Sequence, residues 1–311
     1  MFPDRQFGPH REWRDEVEYL DALFDNGAAY TVGKMNGDHW LLYMTSPPET
    51  AEALLTPVED ETTPMLHRMT SSLASSVTLS PAFAGQDYTL EILMTKLGAA
   101  GRRPFLFIDG DLQGVVNDVV GAATDGGDSD AKPKSKGALV SRQLGIDAIF
   151  PASRTRLDSF AFEPCGYSAN ALVDSVSGDE GYYTIHVTPE EGWSYASFEC
   201  NVPVHPTRGE GVGSHKNNSL ESMPDLETLI QRVVNIFQPG HLALTLFVSS
   251  NTNSHNSMHF ANSKEEERLD SVEVAQRAFR RALIPRGYCR TDKINYEFGD
   301  YDLAFATFQK K

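Results

Sequence analysis

From Arg11 to Phe24 the apolar residues Trp13, Val17, Leu20 and Phe24 recur at i, i+4, i+7 and i+11, the stripe of an amphipathic helix packed on one face. Asp25-Asn26-Gly27 stops it. Two β-type runs, 28–34 and 39–45, flank Met35-Asn36-Gly37-Asp38, and Asn-Gly there predicts a hairpin because a type I′ turn needs positive φ at both central positions. Residues 46–86 are rich in Pro, Ser, Thr and acid with little periodicity, and read as a surface insertion or connection. A new β-type run begins at Tyr88. Asp87, Thr89 and Glu91 fall at i, i+2 and i+4, so a strand projects all three from one face, either as an acidic site or as a solvated surface.

A helix is predicted around 112–120 and a Gly- and Asp-rich loop over 124–136. Strands at 157–162, 182–188 and 194–200, closely spaced and joined by turn residues, suggest an antiparallel meander. Residues 202–224 read as a polar insertion, and Gly209, Gly211 and Gly213 within it match no phosphate-loop pattern. Asp225 caps a helix whose buried stripe is Leu226, Leu229, Ile230, Val233 and Phe237, ended by Pro239-Gly240. A β-type run follows at 241–249, then a polar loop over 251–262. Ser263 and Glu266 form a capping box opening a helix to about Leu283, and 303–308 closes the chain as a strand. The order lacks regular βαβ alternation and points to an α+β fold, antiparallel sheet with helices on its outer faces.

A chain of 311 residues makes one large domain or two ordinary ones, and the 40% hydrophobic share supports a core. A net charge of −16, from 43 acidic against 27 basic residues, argues against nucleic acid and anionic membrane surfaces as partners and suits a cationic ligand. No apolar run reaches about 18 residues and no basic-then-apolar leader follows Met1, so neither a membrane span nor a secretory signal is expected. Cys165, Cys200 and Cys289 lack metal-ligand spacing and read as reduced thiols of a cytoplasmic protein, with no metal site.

Candidate chemistry gathers in two neighbouring stretches. Phe160–Asn170 breaks from an apolar run into a Pro and Gly corner carrying Cys165 and Ser168, and Tyr183–Glu190 brings His186 and Glu190. A Cys–His hydrolase would need a thiolate activated by the imidazole and a third orienting group, and no local signature for one is present. The plainer alternative makes Cys165 a small core residue and His186 a hydrogen-bonded side chain of a sheet.

The segments Asp25–Tyr30 (DNGAAY), Thr89–Met94 (TLEILM), Phe162–Ser168 (FEPCGYS), Tyr183–Glu190 (YTIHVTPE), Ser194–Glu199 (SYASFE) and Thr245–Val248 (TLFV) together resemble the eukaryotic S-adenosylmethionine decarboxylases, in that family's order. The resemblance runs from about Gln6 to the end, interrupted by polar insertions near 46–86, 122–140, 201–224 and 250–275 that suggest a fungal-type member. It implies a four-layer α/β/β/α sandwich of antiparallel sheets with outer helices, built from two similar halves. Residues 1–45 would end the first half and 87–311 would form the second.

The resemblance also implies an activity, the making of decarboxylated S-adenosylmethionine for spermidine and spermine. The family's covalent pyruvoyl group, left by self-cleavage at a Glu-Ser-Ser sequence, binds the substrate amine and takes up the electrons released with carbon dioxide. By residue, Ser168 and His186 match the pair that serves self-processing, His186 as a base suited to neutral pH. Phe162 matches the aromatic stacked on the substrate's adenine, and Glu190 the carboxylate on its ribose. Asp87, Thr89, Glu91, Glu199, Phe247 and Tyr301 match an acidic site that binds putrescine as activator, which favours the shared-site reading of the first three. Cys165 is then left as core.

The family's N-terminal segment, with the pyruvoyl-forming serine, has no counterpart in these residues, and the chain alone is expected to be inactive. Three readings follow. One is a decarboxylase lacking its start. Another is a non-catalytic regulatory paralogue pairing with a full-length relative, with a homodimer as a further possibility, and the third is a polyamine-binding module.

Overall fold

The computed structural model describes residues 6–36, 39–45, 88–107, 135–174, 180–204, 222–249, 271–298 and 301–311. The chain divides into two compact units, Met1–Phe83 and Ala84–Lys311. Asp87, the helix expected at 112–120 and the capping box at Ser263 lie outside the described residues.

In the first unit helix α1 (Trp13–Asp21) precedes the hairpin of β1 (Gly27–Gly33) and β2 (His39–Thr45), paired antiparallel from Gly27 opposite Thr45 to Gly33 opposite His39. The expected stripe is only half-buried at Trp13, Val17 and Leu20, and α1 has no buried residue. Phe24 falls beyond the helix end and lies 44% exposed, its ring 6.5 Å from that of Tyr43. The Tyr43 hydroxyl donates to Asp21 Oδ1 at 2.8 Å.

The second unit is built on one eight-stranded sheet. Its strands are β3 (Tyr88–Leu97), β4 (Thr155–Ala161), β5 (Tyr167–Asp174), β6 (Glu180–Thr188), β7 (Tyr195–Cys200), β8 (Pro239–Ser249), β9 (Tyr288–Phe298) and β10 (Tyr301–Lys310). They lie in the order β4-β5-β6-β7-β3-β8-β10-β9, every neighbouring pair antiparallel. The helices are α2 (Ala99–Arg102), α3 (Lys136–Leu144), α4 (Leu226–Phe237) and α5 (Ser271–Leu283).

Period-2 alternation divides the sheet into two faces with different chemistry. Leu90, Ile92 and Met94 of β3, Leu242, Leu244 and Leu246 of β8, and Tyr167, Ala169 and Val173 of β5 join one core with the stripes of α4 and α5. The opposite face carries Thr89, Glu91, Ser168, His186 and Glu199. The fold is therefore α+β, and the described helices and sheet supply two layers of the sandwich the resemblance implies.

Several expectations need correction. Lys136–Leu144 is helix, so the end of the loop expected over 124–136 and of the insertion expected near 122–140 is helical instead. Ser135 caps α3 by accepting from Ala138 N at 3.2 Å, and Gly145 ends it at φ +71°. α3 approaches β4 so closely that a Cβ on Gly137 would stand 2.4 Å from Ser159 O. Val202 and Val204, placed in a polar insertion, are buried. Pro239-Gly240 opens β8 rather than stopping α4, which is ended by Gln238 at φ +46°. Strands β5 and β9 were not foreseen.

Candidate functional site

The face opposite the described helices is ruled into rows by the strand register. One row runs Phe160, Ser168, His186, Ser197, Leu93 from β4 across to β3. The next runs Asp158, Asn170, Thr184, Glu199, Glu91, Thr245 across to β8. Successive rows are about 7 Å apart along a strand and neighbours in a row about 5 Å.

In the first row Ser168 Oγ and His186 Nδ1 are 2.9 Å apart. The hydroxyl donates when Nδ1 is bare and accepts when it carries the proton, so the pair can pass a proton in either direction. His186 is exposed and Ser168 half-buried, which leaves both open to a group approaching this face.

The corner between β4 and β5 sits at the end of that row. Gly166, at φ +108°, lets the chain double back so that Phe162 N donates to Gly166 O at 2.9 Å. A second bond, from Phe107 N to Pro164 O at 2.8 Å, and a bridge between Leu106 and Cys165 fix the corner from behind. Phe162 projects 45% exposed, its ring 4.8 Å from Phe160. Glu190 follows β6 and is brought to Cys165. Burial, the Glu190 charge and a hydrogen bond to that carboxylate push the Cys165 thiol up from its ordinary value.

Cys165 is therefore half-buried beside Glu190 rather than enclosed in the core, which corrects its assignment from sequence. A thiol held protonated, with the imidazole bonded to Ser168 instead, is the opposite of what a Cys–His nucleophile needs. Among the described residues no group of three or more His, Cys, Asp or Glu is placed to hold a metal ion. No described helix is long and apolar enough to cross a membrane.

The second row holds the acids. Glu91 stands opposite Glu199, and burial together with the Glu199 charge pushes the Glu91 carboxyl up to about 7. Tyr182 on β6 donates its hydroxyl to Glu199 Oε1 at 2.6 Å and is itself pushed up to about 12, chiefly by that bond. On the far side of Glu91 stands Thr245, fully buried, whose Oγ1 has no hydrogen-bond partner among the described residues.

Thr89 opposes Phe247 in the adjoining row, and Tyr301 lies beyond, opposite Ser249. Of the residues singled out from sequence, Thr89, Glu91, Glu199, Phe247 and Tyr301 thus share a face with Ser168 and His186. Phe162 and Glu190 flank its end. Tyr182 and Thr245 escaped the sequence reading. Alternation from His186 puts Tyr182 on this face, but only the register shows which acid it reaches.

The family description adenosylmethionine decarboxylase matches residues 1–309. Similar curated proteins are named S-adenosylmethionine decarboxylase proenzyme. That of Saccharomyces cerevisiae is 29% identical, aligned over 100% of this chain and 63% of its own length. That of Xenopus laevis is 28% identical over 100% and 63%, and that of Drosophila melanogaster 30% identical over 98% and 64%. The chain therefore spans a little under two thirds of these relatives. A solved structure, the Trypanosoma brucei AdoMetDC-delta26 monomer, aligns with 17% identity and a TM-score of 0.48 over 100% of this chain and 83% of that one. With a match over nearly its whole length, the chain belongs to the adenosylmethionine decarboxylase family.

Proposed function

We propose that this chain supplies the substrate-binding and self-processing face of a pyruvoyl-dependent S-adenosylmethionine decarboxylase. The observation that carries the reading is the Ser168–His186 pair, hydrogen-bonded at 2.9 Å, with His186 exposed, between an exposed aromatic and an acidic row. A chain of this family that kept only its fold would have no need of a hydroxyl and an imidazole in contact there.

Each group has a task that its surroundings suit. Phe162 offers a partly exposed ring for the adenine, and the same aromatic corner attracts a sulfonium cation. Glu190 accepts from the ribose hydroxyls, with Cys165 steadying the carboxylate from behind. Ser168 and His186 fit the pyruvoyl group of the family, because the pair is accessible and can hold or remove a proton at the residue being converted. When bound in the site, that group's carbonyl acts as the sink for the electrons that carbon dioxide leaves behind. The acidic row of Glu91 and Glu199, with Thr89, Phe247 and Tyr301 beside it, is the place for putrescine as activator.

No Glu-Ser-Ser sequence occurs in the 311 residues. The test is therefore complementation. The chain is mixed with a polypeptide bearing the family's processing segment, and cleavage is followed by mass spectrometry and turnover by labelled carbon dioxide release. Cleavage and turnover are expected with the natural chain, and neither with His186→Ala or Ser168→Ala. Turnover by the chain alone, or by the His186 variant, would overturn the assignment. The exposure of Phe160 and Leu172 on this face favours a second reading, a regulatory chain that covers it with a full-length relative. Co-purification without any rise in cleavage would select it.

A further inference from the structure

The acidic row has three features that a pair of facing carboxylates does not by itself require. One acid, Glu199, is already served by a donor, the Tyr182 hydroxyl at 2.6 Å. The other, Glu91, has none among the described residues, yet stands between Glu199 and a buried hydroxyl, Thr245 Oγ1, that lacks a partner. A shallow depression of about 600 Å³ opens beside Tyr182, over Asn170 and Thr184 of the same row.

Two carboxylates that face each other in a half-buried site do not both ionise without a counter-charge. A hydrogen bond to the charged form favours charge where it lands, so the bond from Tyr182 draws the negative charge to Glu199 and leaves the proton to Glu91. A protonated Glu91 gains a donor, and the orphan beside it is an acceptor. Unpartnered buried hydroxyls are rare because each forfeits the hydrogen bond it had in water. Among the described residues, the groups beside Glu91 are Glu199 and Tyr195 of β7 and the uncharged Thr245 of β8, with Tyr182 of β6 reaching it only through Glu199.

We propose that Tyr182 and Thr245 are positioning residues that divide one proton and one negative charge between Glu91 and Glu199, and that a diammonium ligand binds by displacing that proton. The second half rests on the reading of this row as the diamine site. The Glu91 carboxyl, held near 7, supports the division. An ammonium arriving beside Glu91 replaces the proton, the row passes from one negative charge to two, and the released proton goes to solvent. The ligand's two charges are then matched.

Two measurements on the full chain separate the parts. Carboxyl-carbon NMR titration without ligand reads the division alone. Glu91 is expected to titrate near neutrality, and Tyr182→Phe to move that midpoint downward while part of the titration appears at the Glu199 carbon, as Glu199 loses the donor that favours its charge. Thr245→Val, close to isosteric, is expected to move it downward as the protonated form loses its acceptor. Transfer of the titration to Glu199 in Tyr182→Phe alone is not what general loosening produces, and far-UV dichroism checks that both variants fold. Calorimetric titration with putrescine in buffers of different ionisation enthalpy then counts protons. About one is expected to be released per ligand near pH 6 and almost none near pH 8.5, with Tyr182→Phe binding roughly tenfold more weakly. Unmoved midpoints in both variants would overturn the division even where putrescine binds. Midpoints that move as expected in a chain that does not bind putrescine would overturn the diamine reading and with it the displacement step. Binding without proton release would overturn displacement alone.

Discussion

Glu91 binds its proton more tightly in the folded chain than an ordinary carboxyl does, near 7 against 4.5, because burial and Glu199 both oppose its charge. A raised carboxyl contributes stability that is complete below the ordinary value and is lost as pH rises through the folded one. For a half-buried group the loss is on the order of 2 kcal/mol between pH 5 and pH 8. Thermal unfolding is expected to shift to lower temperature over that interval, and Glu91→Gln, which cannot ionise, to flatten the decline. Gly137 makes a separate demand. Adding a methyl there sets carbon 2.4 Å from Ser159 O, so Gly137→Ala must push α3 off β4 and is expected to destabilise by about 1–3 kcal/mol in denaturant unfolding. The types of these residues were legible in sequence. Thr245 and Tyr182 were not, because their importance lies in a bond made and a bond missing, neither of which leaves a pattern along the chain.

The elements that sequence located well have both a long apolar period and a cap. α4 combines a full stripe with Asp225, whose Oδ1 accepts from Thr228 N at 2.7 Å, and it begins where the stripe and cap place it. Asp225→Ala is expected to lower stability by about 1 kcal/mol with little change in the sheet, a difference calorimetry resolves. α1 shows the limit of the same argument, since a stripe alone overstated its burial and carried it past the true helix end. β5 was missed for a physical reason. Its core-facing residues include small Ala169 and Ala171, and its other face bears Ser168 and Asn170, so the run lacks bulky β-branched residues until Val173. β9 is the last strand in the order of the described sheet, and its apolar residues are interrupted by Arg290, Asp292, Lys293 and Glu297, a composition that hides the strand from propensity.

At the scale of the whole molecule, a negative charge of −16 discourages self-association, whereas Phe160 at 62% and Trp193 at 68% exposure favour it. Raising salt screens the first and leaves the second, so sedimentation velocity is expected to show a heavier species at about 0.5 M salt than at 0.05 M. Phe160→Ser with Trp193→Ser is expected to reduce that species. A salt-independent sedimentation coefficient would show that these two side chains do not mediate association. The α+β class followed from element order, but the assignment of eight strands to one sheet did not, because β3, which ends at Leu97, enters between β7 and β8, which begin only at Tyr195 and Pro239.

That placement bears on which changes of length the chain can absorb. Ser168 opposes His186, and Glu91 opposes Glu199, only while β3, β5, β6 and β7 keep their present count of residues. One residue gained or lost between Thr184 and Ile185 would flip the segment that shifts, turning Ile185 outward and sending His186 into the core. Paired insertions of two would keep the faces but slide the proton-passing pair a row away from its partner. Variation in length is thus confined to the connections, and a library of single-residue insertions scanned through this unit should trace the site as a band of intolerance running across four strands that are scattered along the sequence.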